Sequence, residues 1–132
     1  MPEPLAGVID ASTLAGILFG EPEAEGLALD VRPDQLFSTS LLGHEFSNIC
    51  VKKYRRAGLS ASDVLDVMRV AESLPIHIDP LSQPEVVAVA IRYELSAYDA
   101  GYLWLALVKD IPLHTLDRKL ANAYQKALKE IA

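Results

Sequence analysis

Four acidic side chains, Asp10, Glu45, Asp99 and Asp117, stand where an apolar stretch gives way to the next element. Asp10 closes the uncharged run Leu5-Ala6-Gly7-Val8-Ile9. Asp99 is the only charge between Ala97 and Val108, and Asp117 ends Ile111-Pro112-Leu113-His114-Thr115-Leu116. Carboxylates placed there are costly to bury unless a cation or hydrogen-bond donors meet them. If the apolar runs are strands of one parallel sheet, their carboxyl ends share an edge, and acids remote in sequence converge in one crevice. Gathered carboxylate oxygens are natural ligands for a hard divalent cation.

Singly, three of the four have a local explanation. Asp10 and Asp117 can each be the N-cap of a following helix, and Asp99 lies three residues after Ser96, a capping-box spacing. Glu45 has none. It falls at the edge of the stripe that Leu42, Phe46 and Ile49 turn toward a core, and its nearest downstream lysine, Lys52, is seven positions away. Burial should raise its pKa unless a metal or donor compensates. Four such acids at element junctions together favour a site over four unrelated caps.

The elements that must position these acids follow from apolar patterning and breakers. Residues 5 to 9 form a continuous apolar run that predicts a strand buried on both faces. A short helix over Ala11 to Phe19 ends at Gly20, and Pro22 with its neighbouring glutamates predicts a second helix to about Asp30. Pro33-Asp34 is a turn. Leu36 to Thr39 predicts a second strand, followed by a helix from Leu41 to Arg56 with Gly58 as its stop. Ser60 and Asp63 are spaced to cap the next helix, where Val64, Met68 and Ala71 recur at helical intervals until Pro75.

Ile76-His77-Ile78 predicts a third strand, and Pro84-Glu85 opens a helix to roughly Leu95. The helix begun by Ser96 is apolar all round and should be buried against the sheet. Leu113 to Leu116 predicts a fourth strand, and a helix from about Asp117 to Ile131 closes the chain. Short strands alternating with helices predict an α/β fold, a parallel sheet with helices on both faces.

Bulk properties bound the remaining possibilities. A chain of 132 residues fits one domain, spanning 1–132, and 51% hydrophobic with 23% charged residues predicts a globular core. The single Cys50 excludes an internal disulfide framework and predicts a reducing, cytoplasmic setting. His44, His77 and His114 are too widely separated for a zinc-finger spacing and are expected to pack or face solvent, with Trp104 in the core. No run approaches the about 20 apolar residues of a membrane span, and no positively charged leader with a long apolar stretch is present, so the protein is expected to be soluble. A net charge of -6 argues against a generally basic nucleic-acid-binding surface. Lys52, Lys53, Arg55 and Arg56 nevertheless cluster on one helix, either as a solvated face or as a phosphate-binding patch.

The motifs around the four acids resemble those of the PIN-domain family. They are Val8-Ile9-Asp10-Ala11-Ser12, His44-Glu45-Phe46-Ser47-Asn48, Tyr98-Asp99-Ala100-Gly101-Tyr102 and Leu113-His114-Thr115-Leu116-Asp117-Arg118-Lys119-Leu120. The resemblance spans nearly the whole chain in the family's order and is closest to the short VapC-type toxins of VapBC toxin-antitoxin systems. It implies a three-layer α/β/α sandwich on a mostly parallel sheet, usually dimeric, and a metal-dependent ribonuclease activity. In that reading Asp10 and Asp99 are direct ligands of Mg²⁺ or Mn²⁺, and Glu45 and Asp117 complete the pocket directly or through water. Ser12, Asn48 and Thr115 fall at the family's supporting polar positions. A small antitoxin would block the pocket, typically with an Arg or Lys facing the carboxylates.

Two other functions fit parts of the pattern. A catalytically idle scaffold that only binds a protein partner would not need all four acids. A receiver-type phosphoacceptor module wants an acid pair after its first strand and a lysine after its last, whereas Asp10 stands alone and Asp117 closes the last run.

Overall fold

Gly7–Ile9 form the first strand, β1, and all three residues are buried, as an uncharged run between two covered faces requires. Three more strands, β2 (Leu36–Ser38), β3 (Ile76–Ile78) and β4 (Leu113–His114), complete a parallel sheet of order β3-β2-β1-β4. The computed structural model describes residues 3–131, and among these the strands are flanked by six α-helices. These are α1 (Ala11–Leu18), α2 (Leu42–Arg56), α3 (Ala61–Ser73), α4 (Gln83–Tyr93), α5 (Ala97–Lys109) and α6 (Arg118–Ile131).

The alternation of side chains along β1 divides the core in two. Ile9 joins Leu14 and Ala15 of α1, Leu36 of β2, Phe46 and Cys50 of α2 and Val64 of α3 on one face. Val8 joins Leu103 and Ala106 of α5, Val86 of α4, Leu113 of β4 and Leu120 of α6 on the other. The expected three-layer α/β/α sandwich is therefore present, and helix α5 is buried against the sheet through Ala100, Gly101, Tyr102, Leu103, Leu105 and Ala106.

From β1 the chain steps through β2 to β3 with its helices on the first face, then reverses to place β4 on the other side of β1 with its helices on the second. Crossovers of one hand force this change of face when the direction of winding reverses. The reversal lies between β1 and β4, and in open α/β sheets the crevice at the carboxyl ends beside such a point is where ligands bind.

Close approach of β1 to the segment before β4 depends on one glycine. Gly7 has φ +125°, and a Cβ there would overlap the carbonyl oxygen of Pro112.

The structure departs from the sequence reading in two segments. The helix expected from Pro22 to Asp30 is a single 3-10 turn, Pro22–Ala24. Gly26 adopts φ +81°, and beyond it the chain runs extended so that the Leu5 amide donates to the Ala28 carbonyl and the Asp30 amide to the Leu5 carbonyl, an isolated bridge between Leu5 and Leu29. The fourth strand stops at His114 instead of reaching Leu116. Its ladder ends because the amides of Leu116 and Asp117 turn to the hydroxyls of Ser12 and Thr115. No helix among the described residues is long and apolar enough to cross a membrane.

Candidate active site

Asp10 is both a helix cap and a buried acid at the carboxyl end of β1. It follows β1 directly, and its Oδ1 accepts from the Thr13 amide at 2.9 Å and from Ser12 Oγ at 2.8 Å. Oδ2 accepts from Thr115 Oγ1 at 2.5 Å, which ties the end of β4 to the end of β1. Only 4% of the residue is exposed. Burial pushes its pKa above the ordinary 3.8, against the opposing pull of the Thr115, Thr13 and Ser12 donors.

Asp99 occupies the first turn of α5, where Ser96 caps the helix by accepting from the Asp99 amide at 3.1 Å. The expected capping geometry therefore forms through the backbone and leaves the carboxylate partly exposed to the crevice. Its pKa is raised first by burial and then by the charges of Asp117 and Asp10, while Lys119 and Ser96 pull it down. Glu45 sits in the first turn of α2, half-buried; burial raises its pKa, the Tyr102 hydrogen bond lowers it, and Asp99 and Asp10 raise it further. Asp117 caps α6, its Oδ1 accepting from the Leu120 amide at 3.0 Å, and its charge is felt at Asp99.

Four acids from four parts of the chain thus share one electrostatic neighbourhood at the sheet's carboxyl edge. None of them has an ion-pair partner among the described residues. The innocent and functional explanations coincide at Asp10 and Asp117, since one carboxylate oxygen caps a helix while the charge still faces its neighbours.

Ser12 and Thr115 lie at the centre of the hydrogen-bond network around Asp10, whereas Asn48 makes no hydrogen bond to the acids among the described residues. It lines an open groove of about 500 Å³ with Glu45, His44, Ser47 and Tyr98. The basic run on α2 does not form a single patch. Lys53 turns toward α1, pairing with Glu21 and lying 5.3 Å from the Phe19 ring centre. Arg55 borders the apolar groove between α2 and α3, and Lys52 and Arg56 are exposed. Among the histidines, His114 contacts the Ala6 carbonyl at 2.8 Å, His77 pairs with Asp34 and His44 is exposed. Trp104 is partly buried, with its indole N–H donating to Glu85.

Tyr102 is a site residue that the sequence reading missed. It is fully buried on α5, one turn beyond Asp99, and its hydroxyl donates to Glu45 Oε1 at 2.9 Å. A tyrosine three positions after an acid in an otherwise apolar helix carried the signal, because a buried phenol needs an acceptor.

Asp10, Glu45 and Asp99 are buried or half-buried carboxylates that repel one another, with Lys119 acting on Asp99 at a distance and no direct ion pair among the described residues, and their oxygens are of the type that a hard divalent ion takes. Among the described residues no three acids or histidines form a ready-made ligand cage.

The chain is 30% identical to Ribonuclease VapC3 of Pyrobaculum aerophilum over 122 residues, covering 89% of this chain and 93% of that protein. It belongs to the VapC ribonuclease family. No family model matches the chain. Its fold is also that of the crystal structure of PAE2754 from Pyrobaculum aerophilum, with a TM-score of 0.65 at 22% identity over 96% of this chain and 95% of that one. The four acidic motifs that resemble the PIN-domain family's lie on β1–α1, α2, α5 and β4–α6, the elements that meet at the carboxyl edge of the sheet.

Proposed function

We propose that the chain is a Mg²⁺- or Mn²⁺-dependent endoribonuclease, the toxin of a VapBC-type pair. The observation that carries this reading is the convergence of Asp10, Glu45, Asp99 and Asp117 in a crevice where no Arg or Lys pairs with them. Membership of the VapC family and the likeness to a protein named as a ribonuclease favour RNA as the substrate.

Asp10 and Asp99 would hold the ion, with Glu45 and Asp117 holding its waters or completing its shell. When bound, such an ion lowers the pKa of a coordinated water and offsets charge on the phosphoryl oxygens. The protein's own contribution is orientation and proton handling. Ser12, Thr13 and Thr115 fix the Asp10 carboxylate before substrate arrives. Tyr102 holds Glu45 by Oε1, so Oε2 remains without a protein donor among the described residues. A carboxylate with a raised pKa suits a general base that takes a proton from the attacking water. Lys52, Arg55 and Arg56 remain solvent-facing candidates for phosphate contacts, with Lys53 held toward Glu21.

A homodimer, a cytoplasmic setting and a small antitoxin presenting a cation to the carboxylates belong to the same reading. An idle scaffold is disfavoured by four intact acids. The test is cleavage of mixed cellular RNA by wild type with Mg²⁺, with EDTA, and by Asp99→Asn with Mg²⁺. Cleavage in the first case alone is expected; equal cleavage in all three, or none in any, contradicts the proposal.

A further inference from the structure

Beside the acidic crevice, a groove of about 300 Å³ runs between the end of α4 and the first turns of α6. Arg92, Tyr93 and Glu94 line one wall, and Lys119, Asn122 and Lys126 line the other. Both walls lead to catalytic acids. Glu94 adopts the left-handed C-cap conformation of α4 two residues before Ser96, which caps the helix carrying Asp99. Lys119 and Asn122 lie in the first turns of α6, the helix capped by Asp117.

The groove is positive in a chain of net charge -6. Arg92 is engaged by Glu130 at 2.8 Å and by Tyr93 Oη, so its charge is offset and it acts as a fixed wall. Lys119 and Lys126 are exposed and have no ion-pair partner among the described residues. Lys119 acts on Asp99 and Lys126 on Glu130 through charge without direct contact, and Glu94 is the one acid among the lining residues. On α6 these lysines are seven positions apart, about two helical turns and so on one face, roughly 10 Å apart along the axis. Two long, flexible lysine side chains on one helix face can each reach a phosphate of the same single strand, and the Asn122 amide between them offers donors and an acceptor to a base or ribose.

We infer that the α4–α6 groove binds the backbone of the single-stranded RNA flanking the scissile phosphate, with Lys119 and Lys126 each contacting a phosphate. This rests on the ribonuclease reading and adds to it a direction in which the strand leaves the crevice. The groove and the exposed α2 residues Lys52, Arg55 and Arg56 lie on helices of opposite sheet faces, so a strand that reached both would cross the carboxyl edge where the acids converge.

The test is equilibrium binding of a fluorescein-labelled single-stranded RNA, followed by anisotropy in EDTA across a KCl series, for wild type, Lys126→Gln and Lys119→Gln/Lys126→Gln. Cleavage of the same RNA by wild type in Mg²⁺ is measured alongside. Each lost phosphate contact should flatten the slope of log affinity against log salt by about 0.7, giving a change of about 1.4 for the double variant. Lys126→Gln, the position farther from the acids, should show half of it. Unchanged slopes together with wild-type cleavage overturn the groove and leave the nuclease reading standing. Wild type that neither cleaves nor binds RNA overturns both.

Discussion

At the scale of single residues, the acids carry a cost that a bound cation would relieve. Asp99 has its pKa raised above 3.8 by burial, Asp117 and Asp10. A folded-state value above the unfolded one means that the ionised carboxylate disfavours folding. That penalty is absent below the unfolded pKa and is complete once the pH passes the raised folded value. In metal-free protein, Asp99→Asn should therefore be more stable than wild type at neutral pH. Its advantage should shrink as the pH falls through the raised value and vanish below about 3.8, the ordinary aspartate value. Saturating Mg²⁺ should reverse the order, because at about a hundred times Kd a ligand adds about 2.7 kcal/mol to the form that binds it. Thermal melting of both proteins over pH 3.5–7, with EDTA or Mg²⁺, measures this; a constant difference at every pH contradicts it. The acids themselves were legible in the sequence because each stood at a junction between an apolar stretch and the next element. Tyr102 was not, since its partner Glu45 is 57 positions away and periodicity marks only the face it buries. The placement of Lys53 was hidden for a related reason. Proximity along the chain grouped it with Lys52, while the helical turn sends it to Glu21.

At the scale of elements, the site depends on how closely β4 can approach β1. Gly7 permits that approach, with φ +125° and the Pro112 carbonyl oxygen where a side chain would be. Gly7→Ala combines a disallowed backbone region with an overlap that neither strand can relax, and should cost about 3 kcal/mol or more. Gly43 in α2 has open space around its Cβ position, so Gly43→Ala should be neutral or stabilising by up to about 1 kcal/mol. Urea denaturation of the two variants checks the contrast, and similar midpoints would show that the β1–β4 approach is not constrained. Long amphipathic or wholly apolar segments such as α2, α3 and α5 were readable because capping residues and periodicity agree. Ser60 and Ser96 accept from the amides three residues on, as their spacing predicts. The segment after Pro22 was not readable, because its glutamates and proline favour a helix start while Gly26 and the pairing of Leu5 with Leu29 decide the outcome. The early end of β4 was hidden as well, since it follows from side-chain hydroxyls that meet only in the folded chain.

At the scale of the whole molecule, topology turns scattered acids into one crevice. The winding reversal between β1 and β4 brings Asp10 and the β4–α6 junction together, and α2 and α5 begin on the same edge from opposite layers. Sequence predicted parallel strands and helices on both faces; the strand order, and with it the location of the crevice, came from the structure. The central claim is that this crevice holds a divalent cation between Asp10 and Asp99. A crystal soaked in Mn²⁺ and measured for anomalous scattering tests it most directly. A peak in the crevice, contacting the Asp10 and Asp99 carboxylates and lost in Asp99→Asn, is the expected result. An empty crevice at saturating Mn²⁺, or a peak at other residues only, would contradict it.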